Sequence, residues 1–213
     1  MSELFEQLDF VENPTYEKII EDLSTRHYSI VDHFFTETEV VLLREALLNK
    51  QEEHTFKKAA IGNRINETIK KSVRGDFIYW IDEALANTSE KVFFNKVNDL
   101  ITYLNKTCFM GILFKEFHYA IYPKGTYYKR HLDTFQNDDR RKLSVVCYLN
   151  EEDWQPDYGG ELAIYTTENN REVEKTIVPF PGRLVIFESQ VLEHEVKTVS
   201  HQRLSITGWL KTR

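Results

Sequence analysis

The chain has 213 residues, 41% hydrophobic and 29% charged, a composition that fits one large or two small globular domains and excludes a disordered chain. Its 34 acidic residues outnumber 27 basic ones, and the net charge of −7 gives no global field that favours nucleic acid. Cys108 and Cys147 are the only cysteines, which excludes a Cys-rich zinc site or a disulfide framework, and no apolar run approaches the ~18 residues of a membrane span. The start, Met1-Ser2-Glu3-Leu4-Phe5-Glu6, lacks the basic and apolar character of a signal peptide. The expectation is a cytoplasmic protein with reduced thiols and no nucleic-acid or membrane partner. Any metal must then be held by histidines and carboxylates.

In chain order, a first helix is expected around residues 16–22 and a short strand over 29–34. Thr36 and Glu39 are spaced as a capping box. The run behind them, with Val40, Leu43, Ala46 and Leu47, predicts an amphipathic helix. Another helix starts near Thr88 or Ser89, with Phe93, Val97, Leu100, Ile101 and Leu104 on one face. Residues 57–74 stand apart. Lys57, Lys58, Arg64, Lys70, Lys71 and Arg74 face one acid, Glu67, and Gly62-Asn63 breaks any periodicity. A mobile loop or loose hairpin is expected there, and a solvated basic turn is the plain alternative.

The second half changes character. Segments 114–121, 143–149, 160–165, 172–178, 183–187 and 203–210 are short and β-rich, with turn signals between them. Asn169-Asn170 is a hairpin-turn candidate. This spacing predicts a sandwich or barrel, with the helices of residues 1–110 packed on its outside, an α+β architecture.

His131-Leu132-Asp133 is the leading chemical feature. On a strand, residues i and i+2 point to one face, so imidazole and carboxylate can converge on one ion. The pair alone is weak and reads equally as a surface turn. His194, from a separate stretch, completes a two-histidine, one-carboxylate set of the kind that binds non-haem Fe(II) and leaves positions open. By itself His194, between Glu193 and Glu195, reads as a surface residue. Farther on, Arg203, Ser205, Thr207 and Trp209 share one face of a strand, and Leu204, Ile206 and Leu210 share the other. A guanidinium on a wall facing a cavity needs an anion, and a dicarboxylate can supply one in bidentate form.

These motifs together are recognisable. Ile121-Tyr122-Pro123, Tyr128-Lys129-Arg130-His131-Leu132-Asp133, Tyr148-Leu149-Asn150 and Gly159-Gly160-Glu161-Leu162 come first. Then follow Pro181-Gly182-Arg183-Leu184-Val185-Ile186-Phe187, His194-Glu195-Val196 and Arg203-Leu204-Ser205-Ile206-Thr207-Gly208-Trp209. With Arg74-Gly75-Asp76 and Trp80 upstream, the chain resembles the Fe(II)/2-oxoglutarate-dependent prolyl 4-hydroxylases. The branch is that of the hypoxia-inducible-factor prolyl hydroxylases and their bacterial relatives, over about residues 25–213.

The resemblance implies a double-stranded β-helix (jelly-roll) core over residues 111–213, supported by residues 1–110, in one oxygenase domain. It implies His131, Asp133 and His194 as iron ligands. Arg203 would pair with the distal carboxylate of 2-oxoglutarate, Tyr148 would donate to it, and Thr207 would line that pocket. Tyr122, Leu162 and Trp209 would form its walls, and Tyr128 would sit near the iron on the substrate side. Arg74 and Asp76 would shape the substrate entrance, and the basic stretch 57–74 would close over a bound peptide. The cofactors implied are Fe(II), 2-oxoglutarate and O2, with ascorbate as an accessory. The implied reaction converts 2-oxoglutarate to succinate and CO2 and hydroxylates C4 of a proline in a protein, such as a translation factor or ribosomal protein. Two other readings stay open: an oxygenase of a small molecule or free amino acid, and a non-catalytic 2-oxoglutarate- or metal-binding sensor.

Overall fold

The computed structural model describes residues 11–53, 55–59, 73–134 and 140–212. Two antiparallel sheets face each other, and helices cover the outside of the larger. Strands β1 (Tyr28–Val31), β2 (Lys57–Lys58) and β3 (Phe77–Ile81) precede the eight-strand core. That core is β4 (Phe114–Tyr122), β5 (Tyr128–His131), β6 (Arg141–Tyr148), β7 (Leu162–Glu168), β8 (Arg171–Ile177), β9 (Leu184–Glu188), β10 (Glu193–Val196) and β11 (Arg203–Lys211). The large sheet has the order β1-β9-β6-β11-β4-β3-β2, and the small sheet β5-β10-β7-β8. From β4 to β11 the chain alternates between the sheets, two strands at a time in the middle, which is the jelly roll expected from the motifs.

The central strands of the large sheet are buried on both faces, and their period-two alternation assigns each face a job. Phe117, Tyr119 and Ile121 of β4, Val145 and Cys147 of β6, Leu184 and Ile186 of β9, and Leu204, Ile206 and Leu210 of β11 pack outward, under the helices. The intervening residues, among them Val146, Tyr148, Val185 and Phe187, turn inward and meet Leu162 and Ile164 of the small sheet. The helices are α1 (Pro14–Arg26), α2 (Glu37–Glu52) and α3 (Thr88–Cys108). The Thr36–Glu39 capping box starts α2, and a second one, Asn87 with Glu90, starts α3. Phe93 of α3 stacks on Phe35 at 5.8 Å and meets Phe117 edge-on at 4.9 Å, locking helix to sheet. Among the described residues no helix is long and apolar enough to cross a membrane.

Several expectations change. The first strand ends at Val31, because His33 takes a positive φ of 55° and turns the chain. The helical reading of residues 1–110 misses β3, a five-residue apolar run whose strand character comes from pairing with β4 along its whole length. In the basic stretch, Lys57 and Lys58 pair with Ile78 and Phe77, while the loop expected over 60–72 lies outside the described residues. Asn169 and Asn170, with φ of 49° and 60°, make the β7–β8 turn as expected. Between β6 and β7, Trp154 is buried and packed edge-on against Tyr158.

Asn150 ties this frame together. Its side-chain amide donates to the Pro179 carbonyl at 2.7 Å, and its oxygen accepts from the Leu204 N–H at 2.7 Å. It thereby joins the end of β6 to the start of β11. Asn150→Ala leaves a buried donor and acceptor unpaired and is expected to cost about 2–4 kcal/mol. Denaturant unfolding, compared with the wild type, measures this.

Candidate functional site

One cavity of about 660 Å³ opens between the sheets, and most of the residues singled out from the sequence line it. At its heart are His131 at the end of β5, Asp133 two residues later, and His194 in β10. His194 lies directly opposite His131 in the antiparallel ladder. The strand argument for His131 and Asp133 holds only in part. β5 ends at His131, and Asp133 sits in the bend that follows. The carboxylate still turns toward both imidazoles, with Oδ1 3.4 Å from His131 Nε2 and Oδ2 3.5 Å from His194 Nε2. One ligand atom from each residue lies within 4.8 Å of the others.

Backbone and hydroxyl groups aim this set. His131 Nδ1 is 2.7 Å from the Lys129 carbonyl, and His194 Nδ1 is 3.2 Å from that of Leu192. Both contacts leave Nε2 for a metal. The Ser144 hydroxyl donates to Asp133 Oδ2 at 2.7 Å and is itself 2.8 Å from Ser189 Oγ. Burial alone would raise the Asp133 pKa. The two imidazoles and the Ser144 hydroxyl outweigh it and hold the carboxyl well below the usual carboxylate range. Burial pushes His194 down to about 4 against the attraction of Asp133. An ionised carboxylate beside a neutral imidazole is the protonation state that a divalent metal requires.

Arg203, at the start of β11, lies elsewhere in the same cavity and is 1% exposed. Its Cζ sits 5.0 Å from the Tyr122 ring and 4.9 Å from the Tyr148 ring. Nη1 reaches only Ser205 Oγ, at 3.3 Å, and Nε has no partner among the described residues. The Tyr148 hydroxyl, also fully buried, has none either. A buried cation without a carboxylate is costly, and here it stands beside an unpaired phenol. Together these atoms fit the carboxylate of an anionic ligand. Thr207 and Trp209 continue the same face of β11, and Leu162 lines the cavity from β7.

The Tyr128 ring stacks on His131 with centroids 3.7 Å apart. Burial pushes the Tyr128 phenol up to about 12, against the pull of Arg74, so it stays protonated. Arg74 covers the opposite side of this packing, 4.3 Å from the Tyr128 ring, and grips Asp76 through two bonds of 2.8 and 2.6 Å. Arg74 lines the cavity, while Asp76 is buried behind it, so the two act as one brace for Tyr128.

Sequence reasoning missed His118, Arg141 and Ser144. His118 shares the inward face of β4 with Ala120 and Tyr122, and that alternation is the available signal. Its ring lies 4.8 Å from Trp80 and 5.6 Å from Trp209. Burial, with the Arg74 charge adding to it, pushes His118 down to about 3. Arg141 lies over the Trp209 ring at 3.5 Å and donates to Glu116 at 3.1 Å. Ser144 carries no signal, because only the folded sheet brings it to Asp133.

A family model described as "2OG-Fe(II) oxygenase superfamily" matches residues 117–211. The fold superposes on the crystal structure of a Pseudomonas putida prolyl-4-hydroxylase with a TM-score of 0.83 and 34% identity, covering 94% of this chain and all of that one. A Trichoplax adhaerens prolyl hydroxylase, solved in complex with a hypoxia-inducible-factor degradation-domain peptide, gives a TM-score of 0.80 and 28% identity. That match covers 93% of this chain and 89% of the other. Among curated proteins, mouse prolyl 3-hydroxylase OGFOD1 is 36% identical over 76 residues, 32% of this chain. The chain spans only 14% and 38% of the lengths of the curated relatives it matches.

Two substitutions test the geometry. Ser144→Ala removes the hydroxyl that orients Asp133 and is expected to weaken Fe(II) binding about tenfold in anaerobic titrations. At Gly160, with φ +71°, an added Cβ would fall 2.9 Å from Arg203 Cδ and 2.5 Å from Val199 Cγ1. Gly160→Ala is expected to displace the guanidinium and weaken 2-oxoglutarate binding by about tenfold or more, read by calorimetry, with Fe(II) affinity little changed.

Proposed function

The chain belongs to the 2OG-Fe(II) oxygenase superfamily, whose members use Fe(II), 2-oxoglutarate and O2, and on that premise we propose that it hydroxylates C4 of a prolyl residue in a peptide or protein. The observation that carries the reading is the buried Arg203, without a carboxylate partner among the described residues, in the cavity that also gathers His131, Asp133 and His194. The choice of proline rests on likeness to the Pseudomonas and Trichoplax prolyl hydroxylases over more than nine-tenths of this chain.

In this reading His131, Asp133 and His194 hold Fe(II), and Arg203 and Tyr148 take the distal carboxylate of 2-oxoglutarate. Bound iron and 2-oxoglutarate supply the oxidant: O2 is split between succinate, formed with loss of CO2, and the substrate C–H. The chain's own residues bind, orient and exclude water. Arg203 sets the depth at which the cosubstrate seats, and the Tyr122 and Tyr148 rings pack against its guanidinium. Phe187, packed edge-on against His194 at 4.6 Å, shields that imidazole from solvent. Tyr128, braced by Arg74 and Asp76, keeps the His131 ring in place. A cytoplasmic site of action belongs to the same proposal and is supported by the free state of both Cys108 and Cys147.

Incubation of the Fe(II)-loaded protein with 2-oxoglutarate and proline-containing peptides is expected to yield succinate and a mass gain of one oxygen atom on proline. His131→Ala is expected to reduce both to background. Succinate formation undiminished in that variant would refute the reading. Turnover without any peptide effect would keep the oxygenase and replace the proline substrate.

A further inference from the structure

The cavity extends beyond what a five-carbon dicarboxylate and a metal fill, and its charge is one-sided. Among the described residues five cations line it, Lys57, Lys58, Arg74, Arg141 and Arg203, against a single carboxylate, Asp133, which belongs to the metal cluster. This occurs in a chain whose acids outnumber its bases by 34 to 27. Arg203 serves the cosubstrate in the reading above. Arg74 is engaged by Asp76, and Arg141 by Glu116. Lys57 and Lys58 are different. Both are exposed on the edge strand β2, and neither has a carboxylate partner among the described residues. Beside them on the rim, Trp80 is 46% exposed and Leu132 39% exposed, large apolar groups turned to solvent at the cavity.

We propose that this outer part of the cavity selects a peptide carrying an acidic residue within a few positions of the oxidised proline, with the rim charges of Lys57 and, from the opposite face of β2, Lys58 attracting its carboxylate and Trp80 as the apolar platform beside Lys57. The inference rests on the reading that the substrate is a peptide. A cleft with low-dielectric walls focuses the field of its charges, so two rim lysines count for more here than on an open surface. That field opposes a cationic side chain even though Trp80, His118 and Trp209 would otherwise resemble a cation-binding box. The Trp209 Nε1–H on the same wall, without a partner among the described residues, is a donor, and it too suits an acceptor on the ligand.

The test uses three peptides that differ only in the residues flanking one proline, with Glu, Gln or Lys there. Each is titrated into the protein loaded with Fe(II) and 2-oxoglutarate under nitrogen, with tryptophan fluorescence reporting Kd. KM and oxygen transfer to proline are then measured in air. The Glu peptide is expected to bind about five- to tenfold more tightly than the Gln peptide, and the Lys peptide most weakly. The preference should shrink as salt rises from about 50 to 300 mM. The double substitution Lys57→Glu, Lys58→Glu should invert the order, which also shows that the variant is folded. Lys175→Glu, on the exposed strand β8, should leave the order unchanged. Equal binding of the Glu and Gln peptides, or a preference that survives the double substitution, overturns the proposal. So does tighter binding of a short oligonucleotide than of the Glu peptide, or no binding of any peptide. Binding in the predicted charge order without oxygen on proline keeps the docking and removes the prolyl reading. Proline oxidation indifferent to flanking charge does the reverse.

Discussion

The buried guanidinium of Arg203 is the constraint around which the interior is arranged. A charge that is 1% exposed has lost its hydration, and the protein compensates only in part. Two phenol rings flank it and one serine hydroxyl touches it. Everything adjacent keeps the space around it defined. Gly160 allows the side chain to pass where a Cβ would collide, and Asn150 fixes the backbone of β11 one residue later. A site that holds an uncompensated charge in a rigid frame is prepared for an anion and binds it without rearranging.

The cluster of His131, Asp133 and His194 follows a different logic. Its two histidines come from paired strands of the small sheet, β5 and β10, so the ladder sets their separation. Its carboxylate lies outside the strand and depends on the large sheet, through Ser144 of β6, for its orientation. The cluster therefore bridges the two sheets at the mouth of the jelly roll, and its geometry reports on how they are packed. The helices contribute at a distance. By covering the outer face of the large sheet they bury its apolar residues, while the inner face, apolar where it meets the small sheet, also carries buried polar groups such as Ser144, Arg203 and Ser205.

Much of this is legible in the residues. The alternation along 203–210 separates cavity from core on residue pattern alone, because side chains on a strand repeat every two residues. The capping box at Thr36–Glu39 is equally plain, since its spacing is local. The β3 strand is not legible, because a five-residue apolar run has no periodicity to separate helix from strand; its identity depends on β4 lying beside it. His194 looks like a surface residue between two glutamates, yet it is 5% exposed because β5 and β7 flank β10.

By itself the sequence determined the chemistry that is available: two histidines, one carboxylate and one arginine as the donor set, only two cysteines, and a core of short alternating strands. These follow from residue type and local periodicity, which need no long-range contact. Only the tertiary structure decided which groups act together. It brought Ser144 to Asp133, Tyr148 and Tyr122 against Arg203, His118 to Trp80 and Trp209, and Lys57 and Lys58 to the rim of the cavity. The physical reason is that these partners are distant in the chain. Their proximity comes from strand pairing and sheet packing, and no local preference of the backbone encodes it.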